Sequence, residues 1–184
     1  MFSDIIISQC SPTMAGLKTG SLFGCAADRQ TLINAIRGFN GRFAGRGVRM
    51  LPLGYQKNRT LVYMYRPGRL KNDLTDSTAA KILKERSYPV ENAQKCVAQL
   101  AARLKDSDEF PHEIGLFLGY PPGDVKGFID NRAQHAKCVG AWKVYGDVEQ
   151  AQKKFRQFDK CKKVYRDCFL RYRSIDRLIV ADKI

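Results

Sequence analysis

Three side chains in this sequence form a plausible reaction set: Cys10, His112 and Glu113. In Cys10-Ser11-Pro12-Thr13 the serine hydroxyl suits a helix cap and the proline suits the first helical position, so the segment reads as a helix start. A thiol beside a helix N-terminus has its thiolate favoured by the dipole, which makes Cys10 the best nucleophile candidate. In His112-Glu113 a carboxylate stands next to an imidazole that it could orient and bring toward neutral pKa, as an acid/base pair requires. A Cys10–His112 dyad oriented by Glu113 would suit thiol-dependent catalysis. The competing reading makes His112 a helix cap or a hydrogen-bonded structural residue, and the cysteines small buried apolar side chains. No histidine stands at 116 or 117, so the zinc-peptidase spacing is absent, and the six cysteines form no paired zinc or redox motif. No metal is assigned, and the cofactor stays unknown.

A second constellation suits binding. Tyr120 and Trp142 are flat apolar walls, Lys18 is a cation, and Gly115, Gly119 and Gly140 permit close backbone approach. These residues place a small-ligand site where the corner Phe110–Asp124 meets the segment Gly140–Tyr145 and the turn Cys10–Lys18. The alternative is a packing corner filled by Phe117 and Phe128. Gly16-Leu17-Lys18-Thr19-Gly20-Ser21 lacks the spacing of a phosphate-binding loop.

The elements that must position these residues follow from periodicity. Asp28 caps a helix carrying Leu32, Ile33, Ile36 and Phe39, whose second half is weakened by Gly38, Gly41, Gly45 and Gly47 into an arginine- and glycine-rich exit. Val48–Leu53 and Leu61–Tyr65 read as an antiparallel hairpin turning at Gly54–Thr60, the second run apolar on both faces and therefore central. Pro67 opens a short helix, Thr75 or Asp76 another, and Glu91 a longer one that ends in the polar run Lys105–Glu109. Two short helices meet at Gly119, Cys138–Val144 is a strand, and Asp147 caps a long C-terminal helix with Ala151, Phe155, Phe158, Cys161, Tyr165, Cys168 and Tyr172 inward. These elements make an α+β chain: a single domain over 1–184, with a small, partly antiparallel sheet from 48–65 and 138–144 covered by helices. Residues 173–184 are a candidate peripheral tail.

Composition bounds the partners. At 184 residues the chain is long enough for one self-sufficient core. Net charge is +14, and it is uneven: 11 Lys/Arg against 3 Asp/Glu over residues 1–74, 8 against 9 over 75–135, and 13 against 6 over 136–184. If the basic ends pack together they form one cationic face for an anionic partner, whether protein, nucleotide or nucleic acid. Nucleic-acid binding would be non-specific, because no reader motif is present. No apolar run approaches a membrane span, and no signal segment precedes Gln9, so a cytoplasmic location is expected.

Phe110–Asn131, Gly140–Gly146 and Cys10–Lys18 together resemble the bacterial family called domain of unknown function 3793. In the family's pattern an acidic residue would be expected where this chain has Gly123. The resemblance implies no reaction. It implies anaerobic Gram-positive hosts and a loose association with iron-transport and flavodoxin genes. Of the functions compatible with this reading, a non-catalytic binding or regulatory domain with a basic face leads. The thiol enzyme and the non-specific nucleic-acid binder follow.

Overall fold

The computed structural model describes residues 2–56, 59–106 and 110–182, with Tyr55, Gln56 and Asp106 described by backbone alone. The tip of the expected 54–60 turn (57 and 58), part of the 105–109 exit (107–109) and the last two residues of the tail lie outside the described residues. The elements are α1 (Phe2–Met14), β1 (Gly20–Cys25), α2 (Arg29–Phe43), β2 (Arg49–Gln56), β3 (Arg59–Tyr65), α3 (Pro67–Asp73), α4 (Ser77–Lys84), α5 (Ala93–Asp106), α6 (Ile114–Phe117), α7 (Pro122–Asp130), β4 (Cys138–Val139), β5 (Lys143–Val144) and α8 (Val148–Tyr172).

The fold is α+β. Three antiparallel strands lie in the order β1-β3-β2, so β3 is central, as its two-faced apolar run requires. Successive side chains of a strand point to opposite faces. Accordingly Val62 and Met64 enter one core layer with Phe23, Cys25 and Met50. Tyr63 and Tyr65 enter the other, with Leu53 and the apolar stripes of α3, α4 and α5. The first layer is closed by α1, α2 and the C-terminal half of α8 through Ile6, Cys10, Leu32, Ile36, Phe39 and Phe169.

The third strand, β1, pairs with β3 along its whole length, Gly20 opposite Tyr65 to Cys25 opposite Thr60. Cys138–Val144 does not join the sheet. It folds as its own two-stranded ladder, Cys138 opposite Val144 and Val139 opposite Lys143. The cause is burial: Trp142 and Val144 pack with Ala151 and Phe158 of α8, which removes their apolar surface from water without the sheet.

Ser11-Pro12 closes a helix instead of opening one. α1 begins at Phe2 and buries Ile6, Ile7, Cys10 and Met14 along one face, and proline falls in its last turn. The Ser11 hydroxyl donates back to the Ile7 carbonyl, and Leu17 N donates to Pro12 O at 2.8 Å as the helix unwinds toward left-handed Gly16. α2 likewise outlasts its expected exit. Gly38 and Gly41 lie on an open side of the helix while Phe39 and Phe43 are buried, and that burial offsets the glycine cost. The expected caps form: Asp28, Asp76 and Asp147 accept the amides of Thr31, Thr78 and Gln150.

The described part of the tail, 173–182, lies against the core. Ile175, Leu178 and Ile179 are buried in the first layer. The wholly buried guanidinium of Arg66 donates to the carbonyls of Thr13, Met14 and Val180 at 2.7 Å each, and to Asp182 at 2.5 Å. It thereby caps α1 and holds the tail with one side chain.

Candidate functional site

α6 and α7 meet at Gly119, whose φ of 77° is the left-handed conformation glycine adopts freely. A Cβ at Gly119 would stand 2.6 Å from Thr19 Oγ1, so the corner seats directly against the turn that follows Lys18. At Gly115 a Cβ would stand 2.8 Å from Val125, and the missing side chain lets α6 lie on α7.

Asp124 organises the neighbouring hairpin. It is 4% exposed, and its carboxylate accepts three hydrogen bonds: Trp142 Nε1 at 2.7 Å, Tyr145 N at 2.8 Å and Gly146 N at 2.7 Å. A buried carboxylate is tolerable because N–H donors meet both oxygens. The side chain of α7's first turn thus sets the height and tilt of the Trp142 ring. Phe155 meets that ring edge-on from α8 at 4.6 Å, and Tyr120 lies 5.1 Å from it at 30°.

Between corner and hairpin lies a cavity of about 320 Å³. Ile114, Tyr120, Val125, Phe128 and Trp142 form its apolar walls, Asp124 its floor, and His112 and Lys143 bring polar groups. Phe110 and Val139 stand at it 42% and 70% exposed, an uncovered apolar surface beside a recess. The Lys143 ammonium donates to Ala133 O at 2.7 Å and lies 5.8 Å from the Phe128 ring centre. A larger groove of about 830 Å³ runs along α1, β1 and α2, but among the described residues Arg59 is the one charged side chain that lines it.

The structure brings Tyr120, Trp142 and His112 to one cavity and leaves Cys10 and Glu113 out of it. Cys10 is fully enclosed in the first core layer, in the last turn of α1 and not at a helix start, and burial pushes its thiol well above the usual range. Glu113 turns the opposite way to a nucleophile's partner. It is 2% exposed and held by Tyr88 Oη at 2.9 Å, Arg103 Nε at 3.1 Å and Arg86 Nε at 3.5 Å, which makes it a buried ionic tie between α6 and the α4–α5 region. His112 is exposed, edge-on to Phe128 at 5.1 Å. Among the described residues no hydrogen bond or ion pair links any two of Cys10, His112 and Glu113, and no cluster of three or more His, Cys, Asp or Glu could hold a metal ion. All six cysteines are free.

Lys18 reaches the back of the aromatic wall, its ammonium 5.1 Å from the centre of the Tyr120 ring. Burial, opposed by the nearby Cys10 and aided by the positive charge of Lys162, brings its pKa down to about 8. Asp124 and Lys143 are site residues that sequence reasoning missed, and Phe128, weighed as a filler of the corner, is a wall of the cavity. Asp124 follows Pro121-Pro122-Gly123 and reads as a helix-start residue, and nothing local signals that its acceptors are used some twenty residues away. Gly123, beside it, faces open space.

The family described as "Protein of unknown function (DUF3793)" matches residues 6–179. Neither the curated proteins nor the solved structures contain a match to this chain.

Proposed function

Because the chain belongs to the DUF3793 family, whose description assigns no activity, we propose its function from geometry alone: a non-catalytic domain that binds a small ligand in the cavity between the α6–α7 corner and the β4–β5 hairpin. One observation carries this reading. The cavity's ring-lined walls open onto Phe110 and Val139, two large apolar side chains left in solvent at its mouth. Concave, mostly apolar walls with a few convergent polar groups are the usual make-up of a small-ligand site, and about 320 Å³ lies at the lower end of their range. Tyr120 and Trp142 serve as walls. Lys18 acts through Tyr120, against whose ring it lies. The thiol-enzyme alternative has no assembled set of groups in its support.

Trp142 is the chain's single tryptophan, so its emission reports occupancy. The fluorescent probe 8-anilino-1-naphthalenesulfonate should bind at one site per chain, with energy transfer from Trp142. Replacing both Phe110 and Val139 by serine should weaken binding about tenfold or more, through the loss of two apolar contacts each worth roughly 1 kcal/mol. Both side chains are exposed, so the fold should survive. Undiminished probe affinity in that variant would remove the cavity as the site.

A second reading rests on α8. Lys153, Arg156, Lys160 and Lys163 are exposed at successive turns, and among the described residues no carboxylate pairs with any of them. This stripe is the surface on which the expected anionic partner would dock.

A further inference from the structure

The ligand's chemistry can be narrowed, and this step rests on the binding reading above. We infer that the cavity takes a planar aromatic ring system carrying one acid group, the ring lying among Tyr120, Phe128 and Trp142 and the acid group directed to Lys143.

Shape supports the ring. Three of the cavity's walls are aromatic faces or edges, and Trp142 is held at fixed height by Asp124 and braced by Phe155 from behind. A wall of rings whose orientation is already set favours a flat partner, because little side-chain entropy is lost on stacking. A volume of about 320 Å³ admits a bicyclic ring with one substituent, and a dinucleotide exceeds it.

Charge supports the acid. Among the described residues Asp124 is the one carboxylate that lines the cavity, and both of its oxygens already accept N–H groups, so a ligand cation would meet no free acceptor on it. Lys143 is different. Among the described residues its ammonium has one hydrogen-bond acceptor, Ala133 O, and an ammonium has three donors. Residues 131–146, which carry the hairpin wall, contain Arg132, Lys137 and Lys143 and no acidic residue. Their field favours an anion, and low-dielectric walls strengthen the interaction of a carboxylate with Lys143. The loop before the hairpin is held in an unusual shape. Arg132, Ala133 and His135 all have positive φ, and this conformation presents the Ala133 carbonyl that fixes Lys143.

The test uses three probes with one ring system and different charge: 2-naphthoate, 2-naphthylmethanol and 2-naphthylmethylammonium. Each is titrated into the full chain by calorimetry with Trp142 emission followed in parallel. Naphthoate should bind about tenfold tighter than the alcohol, the ratio expected for one charge-assisted hydrogen bond, with the ammonium weakest. Lys143→Met should abolish the preference, bringing the naphthoate-to-alcohol affinity ratio to about one, and Lys143→Arg should keep the preference. Cooperative thermal unfolding of both variants confirms that they are folded. If the alcohol or the ammonium binds as tightly as naphthoate, the charge assignment is wrong and the cavity remains a binding site. If none of the three binds and Trp142 emission is unmoved, the proposal and the reading beneath it both fall.

Discussion

Asp124 is buried and Lys18 half-buried, and the two charges are managed in opposite ways. Asp124 has its acceptors satisfied by Trp142 and two backbone amides, so truncation leaves three N–H groups unanswered in an enclosed place. Asp124→Ala should cost about 3–5 kcal/mol, the scale for stripping the partner from a buried charged network, and should redden Trp142 emission. A denaturant midpoint within the error of the wild type would show that the hairpin is placed by other contacts. Among the described residues Lys18 has no carboxylate partner, only the face of the Tyr120 ring, and burial holds its pKa near 8 against an ordinary 10.5. Between those values the unfolded chain binds the extra proton, so the Lys18 contribution to stability rises with pH from about 8 to about 10.5, and the penalty is fully present below 8. Lys18→Met should therefore stabilise the protein by about 1–3 kcal/mol at neutral pH, with the difference shrinking as pH approaches 10. Urea titrations of both proteins at several pH values check this, and a pH-independent difference would contradict it.

At the scale of elements, α8 carries two loads along its 25 residues. Its first half presents Ala151, Phe155 and Phe158 to Trp142 and Val144, and its second half presents Tyr165, Cys168 and Phe169 to α1 and the sheet. The site is thus braced by a helix whose far end belongs to the main core. Phe158 is 6% exposed, its ring 6.4 Å from that of Trp142. Phe158→Ala should cost about 3–5 kcal/mol through transfer and cavity terms, and should weaken probe binding because the Trp142 ring loses its backing. An unchanged unfolding midpoint would mean that the hairpin repacks without it.

For the whole molecule, the sheet separates two core layers, and the cavity lies between the second of them, through Ile114 and Val125, and a satellite cluster built by Tyr120, the hairpin and α8. The net charge of +14 concentrates toward both ends of the chain, and α8 displays much of the C-terminal share. The stripe of Lys153, Arg156, Lys160 and Lys163 spans roughly 15 Å of helix. Affinity for unrelated DNA duplexes should fall together by orders of magnitude as salt rises from about 50 to about 200 mM. Replacing Lys153, Arg156, Lys160 and Lys163 by glutamine should flatten that dependence. Strong preference for one duplex that persists at high salt would instead point to base reading.

Periodicity and caps were enough to place α8 from Asp147, α4 to within one residue at Thr75 or Asp76, the α6–α7 corner at Gly119 and β3 as a central strand, because those signals are local: one helical face, one side-chain cap, one left-handed glycine, one two-faced run. Of the residues expected at one site, Tyr120, Trp142 and His112 line one cavity, and Cys10, Lys18 and Glu113 do not. Tertiary packing decided the rest. Ser11-Pro12 carries the same cap signal whether it opens or closes a helix, and burial of Ile6, Ile7 and Cys10 chose the latter. His112 and Glu113 are adjacent in the chain, but one faces water and the other joins Arg86 and Arg103, since neighbouring residues of a turn point in different directions. The partners of Asp124 and Arg66 lie roughly 20 and more than 50 residues away, and a hydrogen bond across such a separation leaves no periodic trace in the sequence.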